Sequence, residues 1–409
     1  MNAFRSGLIL LALAPAWAET LPAPVEESDE GDDIASNVRR SESSADNRLF
    51  QFFDEWDEKR KDFTDRLGLS YGATYHAIGL ASGLGNGVDT AASGDLTFQG
   101  VWIIGKETFD NPSELRFRLR HRHRLAGQPA STLGSDTGAL WGFVDGFSDA
   151  GFEIPDCYIQ HRFKRSGILL RYGQLTIDNQ FDAHQLRGAK RSYLNQAFST
   201  NPAVAFPSFG TGITMKVEKK SGFDFTIGAS TVQGTENGGD VSFDFDSDEI
   251  FSAIQVGYDF QRAGDYDARL QLLGWHSDAV PEAFLTEGWG FALTYEQALA
   301  KERWQMFAKF AWAHGKATPV DLLLSGGIAG PCGDSGQLGV ALGLGRGSGT
   351  NNFGAPTPSY YQGVIEAFYR WTPRDDIEIS PDLQLVFGEG FNDSPGVRLV
   401  AGLRIGMVF

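Results

Sequence analysis

The sequence predicts an all-β protein, an antiparallel transmembrane β-barrel of about 16 strands preceded by a short N-terminal periplasmic helix. Three observations carry that expectation. Residues 113–125 read S-E-L-R-F-R-L-R-H-R-H-R-L, with an arginine on every second residue. From residue 67 onward, segments of about ten residues alternate apolar with small or polar side chains, which is the length and pattern of a membrane strand. The final segment alternates in the same way and ends on Phe409.

Composition is compatible with this. The 409 residues include 50 glycines, 12% are aromatic and 21% are charged. After the N-terminus, no apolar run reaches the length of about 18–20 residues that a membrane helix needs. Membrane strands remain open, because alternation dilutes their hydropathy. A net charge of −17 argues against nucleic acid as a partner. Cys157 and Cys332 fall at different heights of the expected barrel, so no disulfide between them is expected.

Residues 1–18 have the layout of a secretory signal: Arg5, an apolar stretch over 7–14, and Ala16-Trp17-Ala18 as a small-x-small cleavage site. Intact-mass measurement of the mature protein should find a chain starting at Glu19; a mass that retains residues 1–18 would refute the signal. Residues 19–48 are acidic and poor in large apolar residues, which predicts a flexible extension. Residues 49–66 have helix-compatible spacing with acids before bases, which predicts the short periplasmic helix.

The barrel should occupy 67–409. Its first strand is expected near 67–80, followed by a loop over 81–94. A second strand spans 96–107 and ends in the turn 109–112. The arginine strand leads to a long loop over 126–152, and 153–163 runs back to the turn at 164–167. Residues 168–177 then open the longest early loop, 178–211. Strands at 212–218 and 223–231, 251–260 and 266–275, and 289–297 and 304–313 follow as pairs across short turns. Long loops separate the pairs, the acidic one at 232–249 among them. Short turns on one rim and long loops on the other are what such a barrel requires.

The last hairpin fixes the parity. Strands at 360–371, 377–387 and 397–409 flank a short turn and a loop. The short turn falls on the periplasmic side only if 320–328 and 338–344 are both strands. The total is then about 16, an even number. Fourteen, with both segments inside a loop, is the alternative.

An ordered series of short matches resembles the carbohydrate-selective porin family. The series begins with Trp56 and Arg60 before Leu67-Gly68, then Leu169-Leu170-Arg171-Tyr172-Gly173-Gln174-Leu175 with Phe181 behind it. Tyr193-Leu194-Asn195-Gln196-Ala197-Phe198, Pro207 and Gly212 follow. The C-terminal part holds Glu366, Phe368-Tyr369-Arg370, Ile379-Ser380-Pro381-Asp382-Leu383-Gln384, Gly402-Leu403-Arg404 and Phe409. The resemblance implies a sixteen-stranded outer-membrane barrel passing sugars by passive diffusion, without a cofactor. A terminal strand ending in Phe also resembles the signal read by the barrel assembly machinery. Outer-membrane lipid and a possible homotrimer are the remaining expected partners.

Candidate chemistry lies in the lumen. Arg116, Arg118, Arg120, Arg122 and Arg124 share one strand face, and each would cost about 2–4 kcal/mol at the membrane midplane, so that face is expected to point inward. Lumen-facing acids are Asp156 on the neighbouring strand and Glu366, Glu378 and Asp382 near the C-terminus, which would set up a field across the pore. The loop 178–211 is long enough to fold inward and narrow it. Phe181, Tyr193, Phe198, Phe206 and Phe209 are its candidate sugar-stacking aromatics, with Arg187, Lys190 and Arg191 beside them and Arg171 and Arg370 on the wall. Trp141, Phe143 and Phe147 of the preceding long loop could join them. Trp289, Trp304 and Trp312 are expected at the lipid interface. Whether the arginines choose the solute or knit the wall stays open at this level. So does the choice between sugars and anions or organic acids, and a structural or adhesion barrel is a further alternative. His121 and His123 could hold a metal, but their strand face otherwise points outward, which favours an interfacial pair. No catalytic or metal-binding motif occurs.

Overall fold

Alternating side chains over sixteen segments close into one antiparallel barrel in the computed structural model. It describes residues 67–83, 89–104, 111, 113–218, 222–234, 238–245, 249–262, 266–281, 285–299, 304–349, 360–374, 376–388 and 396–409. The expected signal peptide, acidic extension and periplasmic helix lie outside the described residues.

The strands are β1 (Leu69–Ser82), β2 (Asp89–Ile104), β3 (Ser113–Gly127), β4 (Gly151–Phe163), β5 (Ile168–Leu175), β6 (Gly210–Glu218), β7 (Phe223–Thr231) and β8 (Ile250–Arg262). They continue as β9 (Tyr266–Ser277), β10 (Gly288–Leu299), β11 (Trp304–Gly315), β12 (Val320–Pro331), β13 (Gly336–Gly347), β14 (Tyr361–Arg374), β15 (Ile377–Gly388) and β16 (Val397–Val408). Each pairs with its sequence neighbours, and β16 returns to β1 from Thr74↔Val408 to Ser82↔Val400. The backbone of Phe409 exchanges two hydrogen bonds with Ala73, 2.8 and 3.2 Å, and closes the seam. Closure leaves no strand edge unpaired, which a membrane wall requires.

The fourteen-strand alternative is overturned by β12 and β13, and the reason lies in glycine. β13 reads G-Q-L-G-V-A-L-G-L-G-R-G. Its outward positions, Leu338, Val340, Leu342 and Leu344, are exposed as a lipid-facing row requires. Of its inward positions, Gly339, Gly343 and Gly345 have no Cβ because Phe368, Phe198 and Trp141 occupy that space. Glycine here makes room for packed loops and does not signal a turn. The loop expected over 81–94 is also shorter than that: β2 starts at Asp89, residues 89–94 pair with β1, and Ala92, Ser93 and Gly94 pair with β3 as well.

Trp289 and Trp312 meet edge to face, with centroids 5.2 Å apart, on the outer wall near the loop rim; Trp304 starts β11 at the turn rim. The apolar core is inside the barrel. Trp141, Phe143 and Phe147 of the 128–150 segment pack with Phe181, Tyr193, Leu194 and Phe198 of the 176–209 segment. Both segments lean on wall residues such as Phe307, Val364, Phe368 and Val386. Cys157 and Cys332 are free thiols.

Candidate functional site

The arginine strand faces inward, and every one of its arginines has a carboxylate. From the turn rim upward, Arg116 pairs with Glu114 at 3.1 Å, Arg118 with Asp156 at 2.5 Å and Arg120 with Glu153 at 3.0 Å. Arg122 pairs with Asp95 at 3.1 Å, and exposed Arg124 lies 3.8 Å from Asp149. The acids come from β2, β3, β4 and the loop after β3, so the charges are balanced side by side on one wall. Asp156 is where alternation placed it. Glu153 is inward as well, because β4 carries a bulge: Arg118 and Arg120 face Asp156 and Glu153, two residues against three on the partner strand. Ile154 and Pro155 thus stand opposite the single residue Leu119, one residue in excess; proline suits such a break because it has no N–H for the ladder. Asp95 has a second partner, Lys190, at 3.2 Å, and it accepts from the Thr97 hydroxyl at 2.7 Å. Thus Lys190 of the inward loop reaches the ladder's own acid.

The loop over 176–209 folds into the lumen. Arg187 shapes it from within, donating to the carbonyls of Asp178 and Phe181 at 2.8 and 3.1 Å and to the Asp178 carboxylate at 2.9 Å. Glu366 on β14 accepts from the backbone amides of Leu194 and Asn195 at 2.5 and 3.0 Å. Gln384 on β15 accepts from Asn195 and donates to the Phe143 carbonyl, both at 2.9 Å, so it ties the two loops together. The Trp141 indole donates to Asn195 at 2.7 Å. The Tyr193 hydroxyl lies 2.8 and 2.9 Å from the carbonyls of Ile328 and Val340. Arg370 donates to the Arg191 carbonyl at 3.1 Å, Arg191 lies 3.8 Å from Glu378, and Arg404 donates to the carbonyls of Ala189 and Ser192. On the other flank, Asp182 stands at φ 54° and accepts from Asn201 and Thr294, with Lys309 3.6 Å away.

These contacts correct part of the expected site. Phe181, Tyr193 and Glu366 have no exposure, and Asp382 and Arg187 are buried. A solute cannot stack on these two rings, nor on Phe198, Trp141, Phe143 or Phe147, which are buried as well, and cannot meet the Glu366 carboxylate; these groups pack the loops in place. The acids expected to face the ladder across open water therefore lie beneath the loop instead. Arg171 is also buried and donates to Gln160 at 2.7 Å, whose amide reaches Glu114 at 3.0 Å, extending the ladder's network onto β5. Asp95, Glu153, Asn195 and Gln384 are functional candidates that sequence reasoning missed. Asp95 sits one residue before the expected strand start at Leu96, on the inward parity, and Asn195 and Gln384 lie within the segments that carry the family resemblance; Glu153 left no such signal.

His184 of the loop stacks on Phe307 with ring centroids 4.2 Å apart. Burial, with the Lys309 and Arg187 cations nearby, holds its imidazole well below the usual histidine range. The folded loop therefore favours neutral His184. Its contribution is present above the ordinary value near 6.5 and is lost as pH falls below it. Protection factors of residues 182–204, corrected for the intrinsic pH dependence of amide exchange, should fall from pH 7.5 to pH 5, and His184→Gln should remove the His184-dependent part of that change. An identical pH response in both proteins would contradict this.

A family model described as the carbohydrate-selective porin, OprB family, matches residues 196–409. No curated protein matches. Among solved structures, the chain is similar to the high-pH structure of Pseudomonas putida OprB, with TM-score 0.66 and 14% identity over 87% of this chain and 97% of that one. The low-pH structure of the same protein gives 0.55 and 12% over the same shares. A mutant of Rh. blastica porin gives 0.51 and 11% over 83% of this chain and 100% of that one. At these identities the likeness shows the fold, a porin barrel. The family match covers more than half of the chain and includes β6 to β16 together with the loop anchors Glu366 and Gln384. The chain belongs to the carbohydrate-selective porin, OprB family: it is a sugar channel of the Gram-negative outer membrane.

Proposed function

We propose that the solute passes between the paired ladder on β3 and the exposed side of the inward loop, and that this path favours neutral sugars over anions. The observation that supports it is the pairing of all five guanidinium groups with Glu114, Asp156, Glu153, Asp95 and Asp149. Unpaired, five arginines would form a cationic rail and attract anions. Paired, they form a row of adjacent donors and acceptors with little net charge. Sugar hydroxyls both donate and accept, so such a row can exchange hydrogen bonds with them along its length. Zero-current potentials across a salt gradient test this. Weak ion preference is expected; strong anion preference would replace the sugar reading of the ladder with one for anions or organic acids.

The orientation and partners belong to the same proposal. The long loops face outside and the short turns face the periplasm, after export directed by residues 1–18. β16, ending on Phe409, is the strand offered to the barrel assembly machinery. The outward wall contacts outer-membrane lipid, except over β1–β3. There Tyr75 lies 3.2 Å from His123, which lies 3.3 Å from His121, a polar cluster on a lipid-facing surface. Polar groups are costly against hydrocarbon, which favours this face for contacts between copies in a homotrimer. Tyr75→Leu with His121→Leu should alter the oligomer ratio in crosslinking; an unchanged ratio would refute that placement.

A further inference from the structure

The loop between β7 and β8 carries an exposed aromatic strip that neither the barrel core nor the ladder uses. Residues 238–245 read G-G-D-V-S-F-D-F. Val241, Phe243 and Phe245 are 37%, 54% and 40% exposed. Aromatic rings left exposed on a loop forgo part of the gain from burial, so such a strip normally has a partner.

The strip is held in place. The Ser242 amide donates to the Gln174 side chain at 2.8 Å, and the same side chain donates to the Asp240 carbonyl at 3.1 Å. Thr211 donates to the Ser242 carbonyl at 2.7 Å, and the Ile154 amide donates to the Gly238 carbonyl at 2.7 Å. Gln174 and Thr211 are buried side chains at the loop ends of β5 and β6. The bond from Ile154 uses the amide that the β4 bulge releases from the ladder. A Cβ on Gly238 would lie 3.0 Å from the Glu153 side chain, so the segment lies directly against the Arg120–Glu153 pair.

We propose that Val241, Phe243 and Phe245 with Asp240 and Asp244 form a capture site for neutral pyranose sugars at the external mouth. The inference rests on the sugar-channel reading and deepens it. A pyranose ring has an apolar C–H face and a rim of hydroxyls. Aromatic rings take the first, and carboxylates beside them accept from the second. Both kinds of side chain are exposed within residues 240–245. The acidic residues also decide against an anionic occupant: a phosphate-bearing headgroup or sugar phosphate would meet Asp240 and Asp244 as like charges. Capture here delivers the sugar next to Arg120 and Glu153, where the ladder begins its central part.

The test is single-channel recording of current block by glucose, added to either side of oriented channels. The quantity read is the ratio of the association rates from the external and periplasmic sides. In the Phe243→Ala, Phe245→Ala variant the ratio should fall severalfold relative to the unsubstituted protein. An unchanged ratio, or an equal fall from both sides, would overturn the capture site. The sugar-channel reading fails separately, and the capture site with it, if glucose does not block the unsubstituted protein from either side.

Discussion

Glu366→Ala is expected to release the inward loop and widen the pore. Its carboxylate accepts from two consecutive buried amides, Leu194 and Asn195. Removing it leaves both without a partner, at about 1–3 kcal/mol each, and opens a void between β14 and the loop. Gln384, Tyr193 and Arg404 still hold neighbouring points of the loop, so the barrel should assemble while Leu194–Asn195 loses its fixed position. Single-channel conductance should rise, and the sugar concentration for half-maximal block should rise roughly tenfold, the equivalent of about 1.4 kcal/mol. Glu366→Gln keeps one acceptor and should fall between. Heat-modifiable gel mobility checks assembly. An assembled Ala variant with unchanged conductance and block would show that Glu366 does not position the loop.

Arg118→Ala with Arg120→Ala is expected to change what the pore passes. The substitution leaves Asp156 facing the lumen without its cation and Glu153 with only Arg122, 3.9 Å away. Stranding a fully buried charge costs about 3–5 kcal/mol, and less here, since these side chains retain 10–15% exposure. The balanced wall becomes acidic, so the zero-current potential should shift toward cation preference and sugar uptake should fall. Adding Asp156→Asn and Glu153→Gln restores the balance. It should return the potential to its original value without restoring sugar uptake, because the charged donors and acceptors are gone. If the double variant only lowers the yield of folded barrels, and surviving channels are unchanged, the arginines hold the wall and do not act on the solute.

The parts of the molecule legible in the sequence are those governed by a fixed period. β3 shows its two faces because arginine and apolar residues alternate without interruption, and the same period exposes the C-terminal strands and the sixteen-strand parity. Departures from the period were hidden. The β4 bulge turns both Glu153 and Asp156 inward, which strict alternation forbids. The glycines of β13 imitate a loop, and their cause is the ring of Phe368 on the next strand and the rings of Trp141 and Phe198 from distant loops. The depth of the inward loop was legible from its length, but not the fate of its side chains. Tyr193 and Phe181 are aromatic whether they meet a sugar or a wall, and only the packing shows that they meet the wall. Glu366 was recognisable as inward but not as the acceptor for two loop amides, because those partners are more than 170 residues away in sequence.

The central claim is that a charge-balanced ladder passes neutral sugars in preference to anions. Swelling of liposomes containing the protein in glucose and in gluconate tests it most directly. The two solutes have the same carbon count; gluconate is the open-chain, negatively charged counterpart of glucose. Faster swelling in glucose is the expected result, with the difference reduced in the Arg118→Ala, Arg120→Ala variant through loss of glucose uptake. Equal or faster swelling in gluconate would contradict the account.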